Sequence, residues 1–144
     1  MTSEPVGADP YLAARLRIAV GRLSRRIRLD TNDVPPLQLS TLTSIEEHGP
    51  LRLGELAVRE AVTAPTMTRV LAALDERDLI VRSPDPDDAR STRVTLSEAG
   101  ARVLREVRSQ RTALLDARLA RLTDEQRAAV LAALPALEAL VTEE

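Results

Sequence analysis

Between Tyr11 and Leu29 the residues Leu12, Leu16, Ala19, Val20, Leu23 and Ile27 recur at helical spacing, with Arg15, Arg17, Arg22, Arg25, Arg26 and Arg28 between them. That period predicts a long helix with one apolar and one basic face. The segment DTNDVPP then interrupts it with turn residues and prolines. A second helix is expected over Leu37–His48, with Leu39, Leu42 and Ile45 inward and Gly49-Pro50 as its stop. LRLGELAVRE reads as a short third helix that turns Leu53, Leu56 and Ala57 to the core. After a turn around Ala61-Val62, Thr63 can cap a fourth helix. Pro65 falls in its first turn, where the backbone N–H has no intrahelical partner. Met67, Val70, Leu71 and Leu74 then form one buried stripe.

Past this helix the period shortens. Leu79 to Arg82 and Thr92 to Leu96 read as two strands of a hairpin, the second with Val94 and Leu96 on one face and Arg93 and Thr95 on the other. Ser97 can cap a long helix that runs to about Arg121, and Thr123-Asp124-Glu125-Gln126 has the form of a capping box opening a last helix, which Pro135 should kink. The expected fold is mainly α with a small β-wing: a winged helix-turn-helix flanked by N- and C-terminal dimerisation helices. Within one domain spanning 1–144, residues 34–97 are expected to make the winged region and 8–30 with 98–144 the helical dimerisation region. Leu12, Leu16, Val20, Leu115, Leu119, Leu134 and Leu137 lie on apolar faces that the small winged segment cannot cover. Such arms argue for a two-fold homodimer.

Composition narrows the choice of partner. A chain of 144 residues with 44% apolar content can bury the core of one domain. It has no cysteine, which removes disulfides, cysteine-ligated zinc and thiol redox sensing. Its apolar runs are too short to span a bilayer and MTSEPVGADP lacks the pattern of a signal peptide, so a soluble cytoplasmic protein without a membrane partner is expected. Net charge is −2, and any affinity for nucleic acid must therefore come from local placement of cations. All 20 basic residues are Arg, a coding bias that gives no single Arg special meaning. Neither a Gly-rich phosphate loop nor a nucleophile–base arrangement is present, and no enzymatic activity or cofactor is expected. His48 stands beside Glu46 and Glu47, but adjacent helical residues point apart. It is better read as a helix C-terminal partner of the dipole than as a metal ligand, and no metal site is expected.

The fourth helix carries the most specific chemistry. Opposite its buried stripe lie Pro65, Thr66, Arg69, Ala72 and Ala73, with Thr68 at the flank. This face is small and uncharged except for Arg69, so another surface can approach it closely. A major groove admits such a helix; Thr can offer a hydroxyl to a base or a methyl to thymine, and Arg can hold guanine through two hydrogen bonds. A bland Ala-Thr face, unused or packed on another helix, is the competing reading.

The residues also carry a resemblance. LGELAVREAVTAPTMTRVLAALDERDLIVRSPDPDDARSTRVTLSEAG resembles the helix-turn-helix and wing of the MarR family, bacterial transcriptional regulators of the multiple-antibiotic-resistance type. TAPTMTRVL is similar to that family's recognition helix, DPDDAR to its wing tip, and VTLSEAG to the wing's return strand. The resemblance implies a dimer that presents two recognition helices to a pseudo-palindromic operator in double-stranded DNA. It also implies a repressor released by a small-molecule effector, a mostly apolar anion. The candidate DNA-binding residues are Thr63, Ala64, Pro65, Thr66, Thr68, Arg69 and Ala73 on the helix, with Asp88, Arg90 and Arg93 on the wing. The family's usual Gly after the recognition helix is Asp78 here, a residue that tolerates the left-handed conformation. In the wing, Arg90 is expected in or beside the minor groove with Asp88 bracing its guanidinium, while Asp85 and Asp87 point to solvent and shape the turn with Pro84 and Pro86. Two other readings stay open: a protein-interaction module that keeps the winged fold without reading DNA, and a DNA-coating protein without sequence choice.

Overall fold

A computed structural model describes residues 9–31 and 34–142. The reading of the amino terminus as far as Ala8 and the turn residues Asn32 and Asp33 lie outside the described residues. Helix α1 (Pro10–Asp30) is followed by α2 (Pro36–His48), strand β1 (Leu51–Arg52), α3 (Leu53–Arg59), α4 (Ala64–Glu76), β2 (Ile80–Pro84), β3 (Thr92–Leu96), α5 (Glu98–Leu119) and α6 (Asp124–Val141). The expected helices and hairpin are all there. The sheet, however, has a third strand: its order is β1-β3-β2, with Leu51 opposite Val94 and Arg52 opposite Arg93. From sequence alone Leu51 and Arg52 fall to the following helix, because two residues are too few to show an alternating period.

The chain divides into two compact units, one of Thr31–Ser109 and the other of residues 9–30 with 110–142. In the first, the inward stripes meet in one aliphatic core: Leu39, Leu42 and Ile45 of α2, Leu56 and Ala57 of α3, Met67, Val70, Leu71 and Leu74 of α4, with Leu51, Leu79, Ile80, Val94 and Leu104 around them. Burial of each Leu, Ile, Val or Met side chain is worth roughly 1.5–3 kcal/mol, which makes this set the main source of the unit's stability. The early part of α5 belongs here, since Leu104 is buried and Val103 and Val107 pack against the core.

Left-handed residues make the joints on either side of α4. Ala61 has φ 53 and Asp78 has φ 56. At each, the next residue's N–H reaches five residues back (Val62 to the Ala57 carbonyl, Leu79 to that of Leu74, both 3.0 Å) and its own N–H three residues back. This is the Schellman closure of a helix C-terminus, and it satisfies carbonyls that the helix leaves open. Beyond Asp78, the Leu79 carbonyl accepts from the Ser97 backbone N–H at 3.1 Å. The Ser97 hydroxyl accepts from the Gly100 N–H at 3.0 Å and donates to the Asp78 carbonyl at 2.5 Å. The start of α5 is thereby locked to the end of α4. Gly100 fits this contact for lack of a side chain: a Cβ there would lie 2.1 Å from the Leu79 carbonyl oxygen.

The second unit is built differently. Neither α1 nor α6 contains a buried residue. Leu12, Val20 and Leu134 are 61%, 54% and 40% exposed, while Leu16, Leu115, Leu119 and Leu137 are half-buried. The capping box at Thr123 is present in full, its hydroxyl accepting from the Gln126 N–H at 3.1 Å and the Gln126 side chain accepting from the Thr123 N–H at 3.0 Å. Helix α6 runs without interruption through Pro135.

Two substitutions at the joints should move stability in opposite directions. Ala61→Gly relieves a left-handed non-glycine residue and is expected to stabilise the chain by about 0.5–1 kcal/mol. Gly100→Ala forces a methyl group against a backbone carbonyl and should cost about 1–3 kcal/mol. Urea unfolding measures both, and equal midpoints for the two variants would contradict the joint geometry.

Candidate nucleic-acid interface

Helix α4 is anchored from behind and on both flanks. Met67, Leu71 and Leu74 are completely buried and Val70 is nearly so, which fixes the rotation of the helix about its axis. At its start, Thr63 adopts an extended conformation and its hydroxyl accepts from the Thr66 N–H at 3.3 Å while donating to the Thr66 hydroxyl at 2.9 Å. The expected cap is therefore formed. Near its end, Asp75 pairs with Arg82 of β2 at 2.7 Å. The preceding α3 is held to α2 by Glu60, whose two carboxylate oxygens accept from the Ser40 and Ser44 hydroxyls, each at 2.6 Å.

The face so presented matches the sequence expectation in composition. Ala64, Pro65, Thr68 and Arg69 are exposed, and Thr66 and Ala73 are half-buried. The Thr68 hydroxyl donates to the Ala64 carbonyl at 3.0 Å. The Thr66 hydroxyl accepts from Thr63 and keeps its own hydrogen to give. Arg69 pairs with no other described residue. One exposed cation thus stands among small groups on the outer face of an anchored helix.

The wing departs from expectation at its acids. Asp85 does not point to solvent: its side chain is fully covered and receives Arg52 of β1 through both Nε and a terminal guanidinium nitrogen. The Ser91 hydroxyl donates to Oδ2 at 3.2 Å, the Asp87 N–H to Oδ1 at 2.9 Å, and Arg93 approaches Oδ1 at 3.6 Å. Asp88 does not brace the Arg90 guanidinium either. Its Oδ1 accepts from the backbone N–H of Arg90 at 2.9 Å, which closes the tip as an Asx turn. Asp88 is the acid nearest Arg90 in sequence, whereas the partners of Asp85 lie a strand away. The signal available was Arg52, a lone cation in the apolar run LRL that sits on the sheet. Arg93 turns part of its charge inward to Asp85 and remains half-buried, while Arg90 is exposed. Arg90 and Arg59, the latter marked by no motif, line one groove of about 950 Å³ between α3 and the wing.

The Asp85 carboxyl is held below its usual value of 3.8, foremost by the Asp87 N–H, against the opposing effect of burial and with help from Arg52 and Ser91. It is ionised whenever the protein is folded near neutral pH.

A helix-turn-helix with an anchored outer helix and a three-stranded wing defines the class of this fold. Residues 34–92 match the MarR family model. Over 138 residues the chain is 39% identical to a helix-turn-helix transcriptional regulator of Mycobacterium tuberculosis, covering 94% of this chain and 96% of that one. It is 31% identical over 98 residues to the transcriptional repressor MdtR of Bacillus subtilis, covering 68% of this chain and 63% of MdtR. The crystal structure of a transcriptional regulator protein from Pseudomonas aeruginosa aligns with a TM-score of 0.80 and 36% identity, over 97% of this chain and all of that one. The chain belongs to the MarR family and is a transcriptional regulator of that type.

Because the folded pKa of Asp85 is depressed, its ionised form contributes stability that is complete above 3.8 and is lost as pH falls through the lower folded value. The difference in urea midpoint between the wild type and Asp85→Asn should hold steady from neutral pH to about 5 and shrink only in stronger acid. A difference that already vanishes at mildly acidic pH would mean that Asp85 is not held as described.

Proposed function

We propose that the chain is a homodimeric, sequence-specific DNA-binding repressor. Its α4 reads base edges in the major groove, Arg90 reaches the minor groove from the wing, and a small, mostly apolar anion releases it from DNA. The observation that carries the reading is the outer face of α4: Thr66, Thr68 and Ala73 allow close approach, and exposed Arg69 can make a bidentate contact to guanine. Thr63, Ala64 and Pro65 form the leading end of the same helix, and Arg93 and Asp88 shape the wing behind Arg90. The repressor role is supported by the likeness to MdtR. Release by a ligand is supported by the family resemblance.

Dimerisation is supported by α1 and α6. Two amphipathic helices with no buried residue leave Leu12, Val20, Leu131 and Leu134 uncovered, a set of large apolar groups that a second copy would take out of water. Two recognition helices related by a two-fold axis would then meet half-sites about one turn of DNA apart. Among the described residues no helix is long and apolar enough to cross a membrane.

Selection of bound fragments from random duplex DNA tests the reading directly. A pseudo-palindromic consensus is expected; salt-sensitive binding without a consensus would make the protein a coating protein, and no binding would leave an interaction module. Against the selected duplex, Arg69→Ala should lose about 1–3 kcal/mol of specific binding with little change in binding to scrambled duplex, and Thr66→Ala a smaller part of the same. An unchanged ratio of the two affinities would remove α4 as the reader. Sedimentation at micromolar concentration should give a dimer, and Leu16→Glu should shift it to monomer.

A further inference from the structure

The sheet under the wing carries an electrostatic problem. Its strand residues include Arg52, Arg82 and Arg93 and no acid. Arg82 is matched by Asp75 of α4, but Arg52 and Arg93 stand directly opposite each other on β1 and β3. Like charges directly opposite on neighbouring strands repel. The covered carboxylate of Asp85 lies between them and answers both, with Glu55 reaching Arg52 only at 3.9 Å. Asp85 follows β2 immediately, so one side chain closes all three strands at the end from which the tip projects.

Everything beyond that point hangs on the same residue. The Asp85 N–H donates to the Ser91 carbonyl at 3.1 Å, and Pro86 to Arg90 form the loop between them. Within the loop Asp88 closes the turn through the backbone of Arg90 and Ser91. The Arg90 guanidinium pairs with no described residue, so its place in space is set by the pose of the tip alone. On the other side Arg52 is the residue before α3, the helix that packs directly on α4.

We propose that Asp85 is a positioning residue for DNA binding: by bridging Arg52 and Arg93 it holds the wing tip, and with it Arg90, in a fixed relation to α3 and α4, so that both contacts reach the duplex together. The inference rests on the DNA-reading function proposed above. Asp85 itself is covered and meets no DNA. Without its charge the two guanidinium groups push β1 and β3 apart at the wing end, and Arg90 must be ordered during association, which lowers affinity.

The test titrates the full-length wild type, Asp85→Asn, Arg52→Gln, Arg90→Ala and the Asp85→Asn/Arg90→Ala double variant against a duplex selected from random sequence by the wild type. Asp85→Asn and Arg52→Gln should each weaken binding by about tenfold, no more than Arg90→Ala does, and in the Arg90→Ala background Asp85→Asn should add less than about twofold. Minor-groove footprints at the ends of the site should fade in all three single variants while major-groove protection at the centre of each half-site remains. That split separates loss of positioning from loss of fold. If Asp85→Asn fails to fold, Arg52→Gln, at a half-exposed residue, carries the test. Unchanged affinity in Arg52→Gln, or a full tenfold further loss in the Arg90→Ala background, overturns the proposal. A wild type that selects no duplex overturns the DNA-reading function itself, and this inference with it.

Discussion

A helix that reads a surface must be held by its other side. In this chain the burial of Met67, Val70, Leu71 and Leu74 meets that constraint, and the rest of the winged unit is arranged around it. Rotation of α4 by one residue, about 100°, would bring Arg69 or Thr68 towards the core and expose Met67. The cost of burying an unpaired guanidinium forbids that alternative, so the hydrophobic stripe and the single cation on the opposite face specify the same orientation twice over. The Schellman closures at Ala61 and Asp78 then fix where the helix begins and ends, and the lock between Leu79, Ser97 and Gly100 carries that position into α5.

Polar pairs complete what the aliphatic core leaves undetermined. Leu and Val side chains pack without strong directional preference, so a core rich in them fixes distances better than angles. Glu60 with two serines, Asp75 with Arg82, Glu46 with Arg108 and Asp85 with Arg52 each tie one element to the next through hydrogen bonds, which are directional. Those at the surface add little to stability. Their contribution is to orientation, and the proposed reading, in which one duplex receives two contacts, makes orientation the quantity of interest.

The helices were legible because each carries its own evidence: stripes at a period of 3.6, Thr63 and Thr123 at the caps, Gly49-Pro50 at a stop. Met67 and its neighbours named both the buried and the presented face of α4, and the family resemblance followed from the same stretch. Failures came where the deciding partner is distant in sequence. Strand β1 has two residues and exists because β3 lies beside it. Asp85 looks like one of several acids in a turn, yet it is separated from Asp88 by its burial, and burial is a property of the assembled sheet. Arg52, 33 positions away, offered only the faint sign of a charge in an apolar run.

The two units also differ in how they can be built. The winged unit contains every residue of the buried core, so its folding is a first-order event within one chain. Helices α1 and α6 bury nothing completely, and in proteins most of a helix's stability comes from packing its amphipathic face rather than from its own propensity. In the proposed dimer their ordering is therefore a bimolecular step whose rate rises with concentration. A newly made chain would spend a period as a finished head with unfinished arms, and the abundance of the protein would set how long that period lasts.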